Sequence, residues 1–332
     1  MECGWACTFL TGSTKISCLK PIFPMNAPQL LPDLLVQCHQ RQVSRHWVRW
    51  GIFILLYGAS TAAAAGLTSG TASPWVWLPL LPLYLLAAAS LHGISLFTHE
   101  AVHGTLSASP KWNGFLGAAC ALPVLQNYTA YRVLHLRHHR HLGQEGDPDH
   151  YHNYTRWSWM VFVMNWLRLL IGYPVYITMI PILGFKHGTW RDRAGIVAEV
   201  AAALVAGWLA CRFIPGGWLW HGWVMPMISI NFMVNIRGMS QHTLLEQADD
   251  EICGTRSILT YPLVRFFMCN ENYHLEHHLY PRVAWHHLPT VHAALAAPLK
   301  ECGAPYIRSY AAFVREFIRG SLQRSPLGSG RK

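Results

Sequence analysis

Twenty of the 332 residues are histidine, and their spacing says more than their number. His99 and His103 stand four apart in HEAVH, while His135, His138 and His139 in HLRHH, and His274, His277 and His278 in HLEHH, repeat an i, i+3, i+4 pattern. On a helix these offsets bring imidazoles to one face. At this histidine frequency an HxxHH string is expected only about 0.07 times by chance, so two copies argue for a selected arrangement. His242, in SQHT, adds a ninth. Imidazoles gathered in one place repel when protonated and cost free energy when buried without partners. Metal coordination removes both difficulties. Imidazole suits iron, zinc, copper or nickel, and nine donors exceed the demand of a single ion, so these residues predict a dinuclear centre.

A metal-bound imidazole wants a carboxylate or carbonyl on its other nitrogen. Asp147, Asp149, Glu246 and Glu276 are the candidates by proximity in sequence. HEAVH also satisfies the HExxH metalloprotease motif, in which His99 and His103 would hold zinc and Glu100 would be general base. That reading leaves both HxxHH strings unexplained. His141, His150 and His152 have no box spacing of their own, and His92, His221, His286, His287 and His292 read as interfacial or structural.

The elements carrying these residues belong to a membrane chain. Hydrophobic residues make up 52% and charged residues 13% of the sequence, with 15 Trp, a composition rare in a soluble globule. The net charge of +10 is dispersed between apolar runs, which favours a membrane surface over nucleic acid as the anionic partner. A crossing needs roughly 20 apolar residues, and four stretches qualify: 47–66, 75–97, 194–214 and 218–236. The apolar segment 157–183 carries Arg168, Pro174 and Pro181. A crossing there would put His135 and His242 on opposite sides of the membrane, so it is expected to lie in the interface. Residues 67–74 and 215–217, the expected outer loops, contain no Lys or Arg, whereas basic residues crowd the other side. The nine Cys form no CxxC pair and suggest neither a disulfide framework nor a thiolate metal site. The first 24 residues lack the features of a signal peptide and are expected to be disordered, with Met25 an alternative start. The expected division is a polar lead-in over 1–46, a membrane domain over 47–300 and a basic tail over 301–332.

At the three boxes, and at GDPDH (146–150), QHT (241–243) and NENYHLEHHLYPRVAWHHLP (270–289), the sequence resembles the membrane fatty acid desaturase and hydroxylase superfamily. The resemblance implies an all-α integral membrane fold, with four transmembrane helices, interfacial helices and a cytosolic histidine-rich cap holding a di-iron site. It implies one iron on His99, His135, His139 and His274, and the other on His103, His138, His242, His277 and His278. Some relatives have an Asn four residues before the histidine matching His242. Here that position is Gly238, and Asn270, four before His274, is the candidate substitute. The implied reaction is desaturation of a fatty acyl chain, with two Fe ions and dioxygen as co-substrate. A carotenoid ketolase, or another lipid hydroxylase, is the alternative on the same boxes. No dinucleotide fingerprint, HPGG segment or ferredoxin cysteine pattern is present, so electrons are expected from a separate ferredoxin or a b-type cytochrome with its reductase. The expected location is the inner membrane of a bacterium or the endoplasmic reticulum of a eukaryote, with the metals on the cytosolic side.

Overall fold

A computed structural model describes residues 28–69, 74–245 and 250–323. The reading of residues 1–24 as disordered, the alternative start at Met25 and the metal-site candidate Glu246 lie outside the described residues. The described residues are mostly helical. A short α1 (Pro32–Cys38) leads into α2 (Val43–Thr68) and α3 (Trp77–Val102), which pack along each other. Phe53 of α2 fits against Gly93 of α3, where an added Cβ would come within 2.5 Å of its ring. Next, α4 (Pro110–Ala121) doubles back on α3. Gly117 allows this approach, since a Cβ there would lie 2.5 Å from that of Ala101. A 3-10 turn at Leu122–Val124 then reverses the chain into α5 (Tyr128–His141).

The segment expected in the interface forms one long element, α6 (Ser158–His187), broken at Ile171 (φ −132°, ψ 21°). Pro174 explains the break. It has no N–H for the carbonyl of Leu170. Asn231 donates to that carbonyl at 2.7 Å, and its side-chain oxygen accepts from Tyr173 N at 3.2 Å. After α7 (Trp190–Phe213), the chain turns through α8 (Gly216–Leu219) and a π-helical turn (Trp220–Val224) into α9 (Met225–His242).

Among the described residues, four helices are long and apolar enough to cross a membrane, namely α2, α3, α6 and α7. The expected spans 47–66, 75–97 and 194–214 coincide closely with α2, α3 and α7. The stretch 218–236 is divided among α8, the π turn and α9, while the segment 157–183 lies within a single helix long and apolar enough to cross. The contacts of α6 are informative about its course. Its first half runs antiparallel to α9, from Arg168 beside Gly238 to Tyr173 on Asn231. Its second half follows α5, from Tyr176 on Gln126 to Gly184 against Ala130. Measured against the histidines, it goes in and comes back.

The remaining elements close over the histidine-bearing ends: α10 (Glu251–Gly254), α11 (Pro262–Phe267), α12 (His274–Leu279), α13 (Leu288–Glu301) and α14 (Tyr310–Gln323). A parallel pair, β1 (Ser257–Ile258) and β2 (Tyr306–Ile307), ties them together with Ser257 opposite Tyr306. Within the stretch expected as a basic tail, Phe313 and Phe317 of α14 are buried on Met239 of α9.

Candidate metal centre

Each histidine box sits where an element ends. His99 is in the last turn of α3 and His103 caps it, His135, His138 and His139 occupy the last turns of α5, His242 ends α9, and HLEHH forms the first five residues of α12. Helix α5 is anchored at its other end. Asn127 caps it by accepting from Ala130 N at 2.9 Å, Glu199 of α7 accepts from Thr129 N and Oγ1, and Arg132 pairs with Asp192 at 2.5 Å. Helix α12 is held through Ser257, whose hydroxyl accepts from Leu275 N at 3.0 Å and donates to Glu276 at 2.5 Å.

The nine imidazoles converge into two adjoining groups. Donor atoms of His99, His103, His135, His139 and His277 all lie within 4.8 Å of one another, and so do those of His138, His242 and His278. Within the first group, His135 Nε2 is 2.9 Å from His103 Nε2 and 3.0 Å from His139 Nε2. His274 Nε2 adjoins the second group, 3.2 Å from His242 Nε2 and 3.1 Å from His278 Nε2. The donor atoms are grouped differently from the implied partition, with His103 and His277 beside His99, and His274 beside His242 and His278. Spacing along one helix cannot say which of two adjacent ions a given imidazole meets.

The opposite ring nitrogens are held from outside. His99 Nδ1 lies 2.6 Å from Glu271, His138 Nδ1 2.8 Å from Asp147 and His278 Nδ1 3.2 Å from Glu251. His242 Nδ1 donates to the carbonyl of Gly254 at 3.0 Å, and His274 Nδ1 meets the Gln241 amide at 3.1 Å. A carboxylate or carbonyl at Nδ1 keeps the proton there and leaves the Nε2 lone pair free for a metal. Burial and the neighbouring imidazoles push the pKa of His135, His139, His274, His277 and His278 well below the usual range, which favours the neutral, coordinating form. Burial also works against the charged form of His138, but Asp147 and Asp149 outweigh it and raise its pKa.

These residues fit metal ions. His99 Nε2 is buried with no hydrogen-bond partner, facing four other imidazoles. Several lone pairs aimed at one point cannot all be satisfied by mutual hydrogen bonds, whereas a divalent cation satisfies them together.

Of the acids expected beside the histidines, Asp147 makes the contact, while Asp149 is exposed and 3.8 Å from His138. Glu276 does not reach a box histidine: it takes Ser257, His292 and Tyr306, locking α12 to α13 and β2. Asn270 donates instead to the carbonyl of Trp285, because the chain before α12 is not helical. The reading missed Glu271, Glu251, Gln241 and the Gly254 carbonyl. Two of these stand inside motifs already singled out, Glu271 in NENYH and Gln241 in SQHT. Glu100 accepts from Thr105 and from Trp285 N and stands in none of the imidazole groups, so it is not placed as the base of a zinc protease.

Comparison with known proteins agrees with this geometry. The family model for fatty acid desaturases matches residues 75–310. The chain is 22% identical over 258 residues to the chloroplastic omega-6 fatty acid desaturase of Glycine max, covering 71% of this chain and 60% of that protein. It is 23% identical over 243 residues to the sn-1 acyl-lipid omega-3 desaturase (ferredoxin) of Synechocystis, covering 69% and 65%. It is 25% identical over 255 residues to the beta-carotene ketolase of Paracoccus, covering 69% and 92%. The chain thus spans less than two thirds of the length of these two desaturases. With the family model covering most of the chain, and the three histidine boxes inside the matched region, this protein belongs to the fatty acid desaturase family.

Proposed function

We propose that the chain is a membrane oxidoreductase that uses two histidine-held iron ions and dioxygen to desaturate a fatty acyl chain. The observation carrying this reading is the pair of adjoining all-imidazole groups, with five Nδ1 atoms tied from outside. When bound, two irons with dioxygen supply an oxidant able to remove hydrogen from an unactivated C–H bond. The chain's own part is positional. Residues 99–103, 135–139, 242 and 274–278 hold nine imidazole donors in place, and Glu271, Asp147, Glu251 and the Gly254 carbonyl would keep the proton on Nδ1 of four of them. Electrons come from a separate carrier, in keeping with the ferredoxin in the name of the Synechocystis relative.

The Paracoccus ketolase favours a second reading, oxidation of a carotenoid, since the match covers nearly all of that enzyme. Lipid extracts separate the two. A host expressing the chain should gain a new double bond in its acyl lipids, absent with His138→Ala; an oxidised carotenoid instead would assign the second reading, and no change in either would contradict both.

We further propose that the metals face the cytosol and that α6 does not cross the membrane. Support comes from the contacts of its two halves, with α9 and then with α5, and from the basic residues gathered at the histidine ends. Cysteines introduced at Ser107, Thr189 and Ser321 should then label from the cytosol, and those at Ser69 and Gly216 from outside. Labelling of Thr189 from outside, with Ser107 cytosolic, would make α6 a true span and contradict the proposal.

A further inference from the structure

Three guanidinium groups held within the bundle have close carbonyl or carboxylate acceptors. Arg49 donates to the carbonyl of Phe266 at 2.6 Å, Arg237 to Glu271 at 2.8 Å and Arg256 to the carbonyl of Ser240 at 2.8 Å. Arg168, half-buried in the first half of α6, has no carboxylate within ion-pair distance among the described residues. Its one hydrogen bond there is to the Tyr151 hydroxyl, at 3.5 Å. Asp149, whose charge it feels, is turned to His138 and solvent.

The place of this cation is specific. Its Nη2 lies 2.9 Å from where a Cβ on residue 238 would stand, so the guanidinium occupies space that Gly238 leaves open. Gly238 and the ligand candidate His242 are i and i+4 on α9 and share a face, about 6 Å apart along the axis. A half-buried guanidinium with one long hydrogen bond has donors left for an oxyanion, which can take it through two parallel hydrogen bonds. An anion there stands on the order of 10 Å from the metals, by one helical turn and the reach of a side chain.

We propose that Arg168 receives a carboxylate or phosphate oxyanion of the substrate, so that this enzyme oxidises an acid only a few bonds from its charged group. The inference rests on the oxidase reading above and narrows its substrate class: an acyl chain attacked far from its charged end would leave Arg168 unpaired. The test is isothermal titration of the iron-loaded full chain in detergent with octanoate, octyl phosphate and octanol, for wild type, Arg168→Gln, Arg168→Lys and Gly238→Ala. One of the two anions should bind wild type at least tenfold more tightly than it binds Arg168→Gln or Gly238→Ala, where the added methyl displaces the guanidinium. Arg168→Lys should fall between, and octanol should bind all four alike. The better anion identifies the group. Anions that bind wild type no more tightly than octanol, or that bind the Gln and Ala variants as well as wild type, would overturn the inference. Iron content of the same wild-type sample reads the oxidase proposal separately.

Discussion

Replacing His139 or His277 with alanine should strip iron from the protein and abolish turnover together. Their Nε2 atoms lie 3.2 Å apart within the five-imidazole group, so either deletion removes a donor from the inside of the centre. The loss should exceed the roughly 10–100-fold fall in metal affinity that follows loss of an outer hydrogen-bond partner. His103→Ala should behave the same way, since its Nε2 is 2.9 Å from that of His135. His286 is the control. It is also a buried histidine, but it packs against His46 and Trp285, outside both groups. Its alanine variant should keep its iron and most of its activity. Metal analysis by mass spectrometry beside turnover checks this, and equal losses in all four variants would remove the basis for assigning the boxes.

The second large effect is expected at Glu271, which joins His99 at 2.6 Å to Arg237 at 2.8 Å while wholly enclosed. Burial opposes its ionised form, but His99 and Arg237 outweigh that and hold its carboxyl below the ordinary range. Glu271→Gln leaves Arg237 without its counter-charge, a break that costs about 3–5 kcal/mol in a buried pair. It also frees the tautomer of His99. Metal affinity should fall by about 10–100-fold, the usual cost of losing an outer partner. Asp147→Asn should have a smaller effect, because the backbone N–H groups of Gly143 and Asp149 also hold that side chain in place. Iron titration of the two variants checks the order. An iron affinity unchanged in Glu271→Gln would contradict the role given to this residue.

The histidine set was legible because metal ligation imposes spacing within a single helix, and spacing survives in the sequence. HLRHH and HLEHH each present three imidazoles from one short helical segment, and nothing distant is needed to see it. The partners of those imidazoles were less legible because tertiary approach sets them. Asn270 was the candidate substitute because it stands four before His274, a spacing that brings residues together only on a helix, yet Cys269 and Asn270 adopt left-handed φ of 44° and 56°, which turns the chain before α12. That turn places Glu271 against His99, a contact with no periodic trace. Glu276 stands two residues after His274, and a step of two on a helix points away from the ligand face. The course of α6 was legible only in part. Pro174 announces a break, but the carbonyl it leaves unpaired is satisfied by Asn231 of α9, far along the chain.

The most direct test of the account is the metal content of the purified full chain. Two adjoining imidazole groups, with nine donors between them, predict two iron ions per chain, lost when the histidines of either group are replaced. One zinc per chain with no iron would contradict the account.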